Sequence, residues 1–178
     1  LSRTVKTLLK ELLEWTTETR LNAARHLRSM LVYVEKHATQ HIQQLLHALV
    51  AASRDEYIHE IVHQCARLVA RTVPVDTWLK FLEVRLREED LGTRAHAVQV
   101  LESLCRGAGG GRLKEHLADI FKLLVEPSTL KSEDTRLRMA TASLLQTLLQ
   151  LCGEDLGMCC CPLALLVHMS RTSREGMD

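Results

Sequence analysis

A short phrase recurs along the chain: Thr19-Arg20-Leu21-Asn22-Ala23-Ala24-Arg25-His26-Leu27, then Thr93-Arg94-Ala95-His96-Ala97-Val98-Gln99-Val100-Leu101, then Thr135-Arg136-Leu137-Arg138-Met139-Ala140. Arg20 to Arg94 is 74 residues, two steps of 37, and Tyr57-Ile58-His59-Glu60-Ile61 opens another helical pattern at the midpoint; Arg94 to Arg136 is 42. A period in this range, with two apolar helices per unit, points to stacked helical hairpins. Each hairpin alone would leave an apolar face in water, and stacking buries those faces in one continuous core.

Composition supports the same class. Aromatic residues make up 3% of the chain and only three prolines occur, while leucine and alanine are abundant. Helix formers therefore dominate. The expected fold is all-α, an α-α superhelix (solenoid) of about four hairpins at 1–36, 37–73, 74–111 and 112–152, followed by an atypical cysteine-rich terminal segment at 153–178.

Val5, Leu8, Leu9, Leu12 and Leu13 share one stripe of the first helix, and after the Thr16-Thr17 turn a second helix runs to about residue 35. Thr39 can cap the next helix, which turns Ile42, Leu45, Leu46 and Leu49 inward, and Ser53-Arg54-Asp55-Glu56 has capping-box spacing before its partner. In the third unit Pro74 interrupts the chain, and Asp76 can cap a helix that buries Trp78, Leu79, Leu82 and Leu86. Its partner, over about 91–106, puts Leu101 in the core and leaves Gln99 outside it. Gly107-Ala108-Gly109-Gly110-Gly111 is costly in backbone entropy and reads as a flexible connection. The fourth unit comprises 113–125, a loop around Pro127, and 134–152.

With 23 basic residues against 22 acidic ones, no neutralising basic surface is visible, and the expectation is no nucleic acid. No apolar run reaches the roughly 20 residues that cross a bilayer, and no signal-peptide pattern opens the chain, so the expectation is no membrane and a soluble, intracellular protein. Beginning at Leu1 inside a helical pattern, the sequence reads as a piece of a longer chain. Cys65, Cys105, Cys152, Cys159, Cys160 and Cys161 form no Cys-x-x-Cys pair. All six are expected to be reduced thiols, with Cys65 and Cys105 serving as small core residues.

His59-Glu60-Ile61-Val62-His63 matches the pattern in which two imidazoles one helical turn apart hold zinc and a glutamate activates water. The extended pattern fails, because Ala66 and Val69 stand where glycine and histidine are needed. Glu83, a third ligand by chain distance, belongs to a different, core-facing helix. An accidental match is the better explanation. Residues 107–111 lack the terminal Lys-Ser or Lys-Thr of a nucleotide loop, and no serine sits in a Gly-x-Ser-x-Gly elbow. The expectation is a protein without catalytic, metal-binding or cofactor-binding residues.

Helical phase gives the histidines another use. Counted from Arg20, Tyr57, Arg94 and Arg136, inward positions fall near offsets three, four, seven, eight and eleven, while offsets two and six point away. In that register Asn22, His26, Ser29, His59, His63, His96, Gln99 and Arg138 form a candidate partner-binding concave face. The plain reading is a set of solvated polar residues. The sharper one is a groove whose charge rises as pH falls through about 6.5. Arg20, Arg94 and Arg136, near the starts of second helices, oppose the macrodipole and need compensation, for which Glu18, Asp55, Asp90 and Asp134 are available.

Leu9-Lys10-Glu11-Leu12-Leu13-Glu14-Trp15 followed by Thr19-Arg20-Leu21-Asn22-Ala23-Ala24-Arg25, and Val73-Pro74-Val75-Asp76-Thr77-Trp78-Leu79, resemble the C-terminal region of HEAT-repeat dynein axonemal assembly factors over roughly residues 1–152. The resemblance does not extend to the cysteine-rich end. It implies a HEAT-like solenoid and a cytoplasmic, non-enzymatic scaffold that helps preassemble dynein arms for motile cilia. The implied partners are dynein chains, chaperones and other assembly factors, and no cofactor is implied. Other HEAT or armadillo-type adaptors, transport-receptor-like or phosphatase-scaffold-like, would share the fold and differ in partner. A nucleic-acid-binding array would need cations gathered on the concave face, and a zinc peptidase acting through His59-Glu60-x-x-His63 would need bound metal.

Overall fold

The computed structural model describes residues 2–125, 129 and 132–156. In chain order it comprises α1 (Ser2–Glu11), α2 (Thr17–Val34), a 3-10 stretch (Glu35–His41), α3 (Ile42–Ala52), α4 (His59–Thr72), α5 (Val75–Leu86) and α6 (Leu91–Ala108). The single turn α7 (Gly110–Leu113) and a 3-10 turn (Lys114–His116) then lead into α8 (Leu117–Leu124), and α9 (Thr135–Leu156) follows. The fold is all-α, with no strand among the described residues. No helix there is long and apolar enough to cross a membrane.

The helices form two layers. First helices α1, α3, α5 and α8 lie side by side, and second helices α2, α4, α6 and α9 form the other layer. Contact between neighbours is more extensive in the second layer, above all for α4 on α6 and α6 on α9. The second helices are taken as the inner face of the stack and the first helices as the outer one.

The apolar stripes do what their spacing requires. Val5, Leu8, Leu9 and Leu12 are buried, as are Ile42, Leu45, Leu46 and Leu49 of α3 and Trp78, Leu79, Leu82 and Leu86 of α5. All but Leu8 join one cluster that runs from α1 to α9. Leu13 departs from its stripe and is 47% exposed, because α1 ends at Glu11 and Leu13 belongs to the turn. Cys65, Cys105 and Cys152 are buried thiols outside any disulfide. Burial pushes the Cys65 thiol up to about 12 and raises that of Cys105 as well, which keeps both protonated and inert. Cys159, Cys160, Cys161 and the loop around Pro127 lie outside the described residues.

Several expected caps are displaced. Thr39 falls inside the 3-10 stretch, and α3 starts after His41 without a side-chain cap. Ser53 closes α3, its hydroxyl donating to the Val50 carbonyl at 2.8 Å, so the capping box does not form. Asp55 orders the turn ahead of α4, its Oδ1 accepting from the Tyr57 N–H at 2.9 Å, and α4 itself has no side-chain cap. Helix α5 begins at Val75 after Pro74, which puts Asp76 in the first turn, where its charge suits the dipole. Asp90 and Asp134 are side-chain caps, accepting from the N–H groups of Thr93 and Leu137, each at 2.8 Å.

The glycine-rich stretch is a tight junction and not a flexible connection. Helix α6 continues through Gly107 to Ala108, and the chain turns at Gly109, whose φ of 75° suits glycine. A β-carbon on Gly107 would lie 2.2 Å from the Arg67 carbonyl oxygen, and one on Gly110 would lie 2.0 Å from that of Leu151. These two glycines let α4 and α9 approach the segment from opposite sides. Arg112 seals the junction by donating to the carbonyls of Ala70 (2.6 Å), Arg71 (2.9 Å) and Val73 (2.8 Å) at the end of α4.

Candidate functional site

Which side chains the second helices expose depends on how those helices are aligned. Carbonyls of Thr16, Asp55, Asp90 and Asp134 accept the first i+4 bonds, from the N–H groups of Arg20 (3.1 Å), His59 (2.9 Å), Arg94 (3.0 Å) and Arg138 (3.1 Å). The steps are 39 residues (16 to 55), 35 (55 to 90) and 44 (90 to 134). The counterpart of Arg20 is therefore His59, not Tyr57, and in the last unit Arg138, not Arg136.

Burial agrees with this alignment. Offset three holds Ala23, Val62, Ala97 and Thr141, and offset seven holds Leu27, Ala66, Leu101 and Leu145, all of them buried. Counting from Tyr57 and Arg136 would put the exposed Glu60 and Met139 at offset three. A slip of two residues turns a helix by about 200°, which exchanges its inner and outer faces.

That rotation corrects the expected face at His63. Its side chain is 9% exposed, and its Nδ1 is hydrogen bonded to the Ser103 Oγ of α6 at 2.9 Å. Asn22, His26 and Ser29 are exposed together on α2. His59 is exposed at the start of α4, its ring 5.5 Å from that of His63 and edge-on. His96 and Gln99 are half-buried and bonded to each other, Nδ1 to Oε1, at 3.2 Å. Arg138 is half-buried at the start of α9. The eight residues thus divide between an open stripe on α2, an interhelical contact, a half-buried pair on α6 and two helix starts.

Burial, with the nearby His59 adding to it, lowers the His63 pKa from 6.5 to about 4. Burial also lowers that of His96. The unfolded chain binds a proton at His63 more readily than the folded one, so stability present above about pH 6.5 is lost as pH falls toward 4. The expected loss at pH 5 is on the order of 2 kcal/mol. Urea unfolding at pH 7 and pH 5 should show this drop, and His63→Gln should flatten it; a variant with the same pH slope as the parent would refute the assignment.

Glu60 and His63 of the His-Glu-x-x-His sequence are committed elsewhere. Burial alone would raise the Glu60 carboxyl, but bonds from Gln64 (3.3 Å) and Arg67 (2.7 Å) outweigh it and hold the pKa low. His63 faces Ser103, and Glu83 on α5 pairs with Arg87 at 2.8 Å. Among the described residues no three metal-ligating side chains converge.

Across α2 and α4 the inner face has a groove of about 270 Å3 lined by Arg28, Val32, Gln64, Arg67, Leu68 and Arg71. Arg28 spans it, donating to Gln64 Oε1 at 2.7 Å, and Val32 is 56% exposed. On α6 the same stripe carries Gln99, Glu102 and Arg106. Glu102 accepts from Arg106 at 2.8 Å and from Thr147 of α9 at 2.9 Å. With Arg67 on Glu60 and Arg106 on Glu102, the charges are interleaved and no continuous basic track forms. Apart from Gln99, sequence phase misses this stripe; the aspartates ahead of the second helices, Asp55, Asp90 and Asp134, are the signal that marks it.

The arginines tie the units together along the edge where each hairpin turns. Arg20 pairs with Asp55 of the next unit at 2.5 Å and donates to the Glu14 and Trp15 carbonyls at 2.9 and 2.8 Å. Arg94 makes the equivalent bond within its own hairpin, donating to the Glu88 carbonyl at 2.7 Å. Arg54, not foreseen in this role, reaches Asp90 of the following unit at 3.3 Å. Arg136 is exposed.

The family model described as "Dynein axonemal assembly factor 5, HEAT-repeat domain" matches residues 1–173, which extends well into the cysteine-rich segment. Dynein axonemal assembly factor 5 of Homo sapiens is 30% identical over 162 residues, 89% of this chain and 18% of its own length. The Mus musculus protein of that name is 28% identical over 159 residues, and the Xenopus laevis one 24% over 158, each covering 87% of this chain and 18% of the relative. The chain thus spans about a fifth of the length of these relatives.

Proposed function

Because the chain belongs to the HEAT-repeat domain family of dynein axonemal assembly factor 5, we propose that it is a non-enzymatic, protein-binding scaffold that acts in the cytoplasm in preassembly of axonemal dynein arms for motile cilia. Its partners in this reading are dynein chains, chaperones and other assembly factors, and it needs no cofactor. The observation that carries the proposal is the inner stripe of Arg28, Val32, Gln64, Arg67 and Arg71, which crosses two units without belonging to the core. Helical arrays bind proteins through contacts spread over successive repeats, and arginine beside an exposed aliphatic side chain suits an interface centre. Asn22, His26, Ser29 and Gln99 extend the proposed face, and His59, His96 and Arg138 flank it.

The test is proximity labelling with the complete protein in differentiating multiciliated cells, comparing the parent, a deletion of this segment and an Arg28→Glu, Arg67→Glu variant. Dynein chains should be labelled by the parent and lost from both altered forms. The double variant should melt close to the parent, since surface changes of this kind shift stability by about 0.5 kcal/mol. Identical labelled sets from all three would defeat the proposal.

A further inference from the structure

Between the first helices, the outer face opens into a groove of about 640 Å3 across α1, α3 and α5. Leu9, Ala48 and Phe81 lie along its floor. Leu13 and Val84 border it at 47% and 66% exposure. Neither is used by the core. The charged lining is of one sign, with Lys6 and Lys10 from α1 and Arg85 from α5. Arg85 is shared with His47 and Glu88, whereas Lys6 and Lys10 make no ion pair among the described residues. Arg3 continues the basic run along α1.

A chain of net charge +1 therefore gathers cations around an apolar trough left open by the described residues. Such a site complements a ligand that carries bulky aliphatic groups and carboxylates together. The trough is concave and has the volume of a few side chains, which suits a peptide and not the plane of a bilayer. We propose that this groove docks a short acidic segment of a partner protein, its leucine- or phenylalanine-type side chains entering between α1 and α5 over α3 and its carboxylates meeting Lys6 and Lys10. The site lies on other helices than the inner stripe and stands independently of it.

Fluorescence anisotropy with the full chain and a short fluorescein-labelled helical peptide of glutamate and leucine tests this. The acidic peptide should bind, and its lysine-for-glutamate counterpart should not. Affinity should fall about tenfold between about 50 and 300 mM salt. Lys6→Glu with Lys10→Glu, and separately Leu13→Ser with Val84→Ser, should each weaken binding about tenfold or more, while Lys122→Glu on α8 leaves it unchanged. All five altered side chains are exposed, so helicity and melting should hold. Equal binding of both peptides, no binding, indifference to the lysine reversals, or capture of phosphatidylserine vesicles without the peptide would overturn the assignment.

Discussion

Gly107→Ala should destabilise the protein by about 3 kcal/mol or more, an unusually large penalty for adding one methyl group. The new β-carbon would sit 2.2 Å from the Arg67 carbonyl oxygen and 2.7 Å from its α-carbon, both main-chain atoms. Main chain cannot rotate away as a side chain can. Helix α4 is also held in place on that side, its end bonded by Arg112 and its middle by the contact of His63 with Ser103. Relief therefore requires α4 and α6 to separate, weakening one of the most extensive contacts in the fold. Gly111→Ala is the matched control, since a β-carbon there would meet nothing within 4 Å and its φ is not positive. Denaturant titration of both should separate them clearly; a Gly107 variant as stable as the Gly111 one would mean the helices do not meet there.

Leu101→Ala should cost about 2 to 5 kcal/mol, from lost burial and from the cavity left behind. Leu101 is fully buried on α6, the helix that packs against both α4 and α9. The damage should therefore reach the units on both sides, because neighbouring interfaces supply most of the stability of such an array. Gln99→Ala, two residues away, loses the half-buried bond to His96 and should cost about 1 kcal/mol. Thermal shifts of equal size for the two would contradict the face assignment of α6.

The hairpins and their apolar stripes are legible in the sequence because burial of leucine at helical spacing is a local, repeated requirement. Ile42, Leu45, Leu46 and Leu49 illustrate it, each pointing where a 3.6-residue period sends it. The alignment between hairpins is less legible. Thr-Arg occurs at 93–94 and at 135–136, but its place relative to the capping aspartate differs by two residues, three after Asp90 and one after Asp134. A phrase match therefore puts the last unit out of phase, and Tyr57 does the same for α4. The open face follows from phase alone, so the phrase sends His63 toward solvent when it faces α6. The capping aspartates are visible in the sequence as charge partners, and their second role as helix-start markers carries the true register. Glycine at 107–111 misleads for another reason: entropy argues for a loop, but close approach of two backbones also demands a residue without a side chain, and only the neighbouring helices reveal which demand operates.

Arg112 links parts of the chain that its own sequence neighbourhood does not suggest. The guanidinium reaches back about forty residues to fasten the closing turn of α4. That turn cannot fray by itself, since unwinding it must also release the latch at α7. Opening of the second unit is thereby coupled to loosening of the junction with the fourth, and the middle of the array should exchange its amide protons as one block while α1 breathes separately.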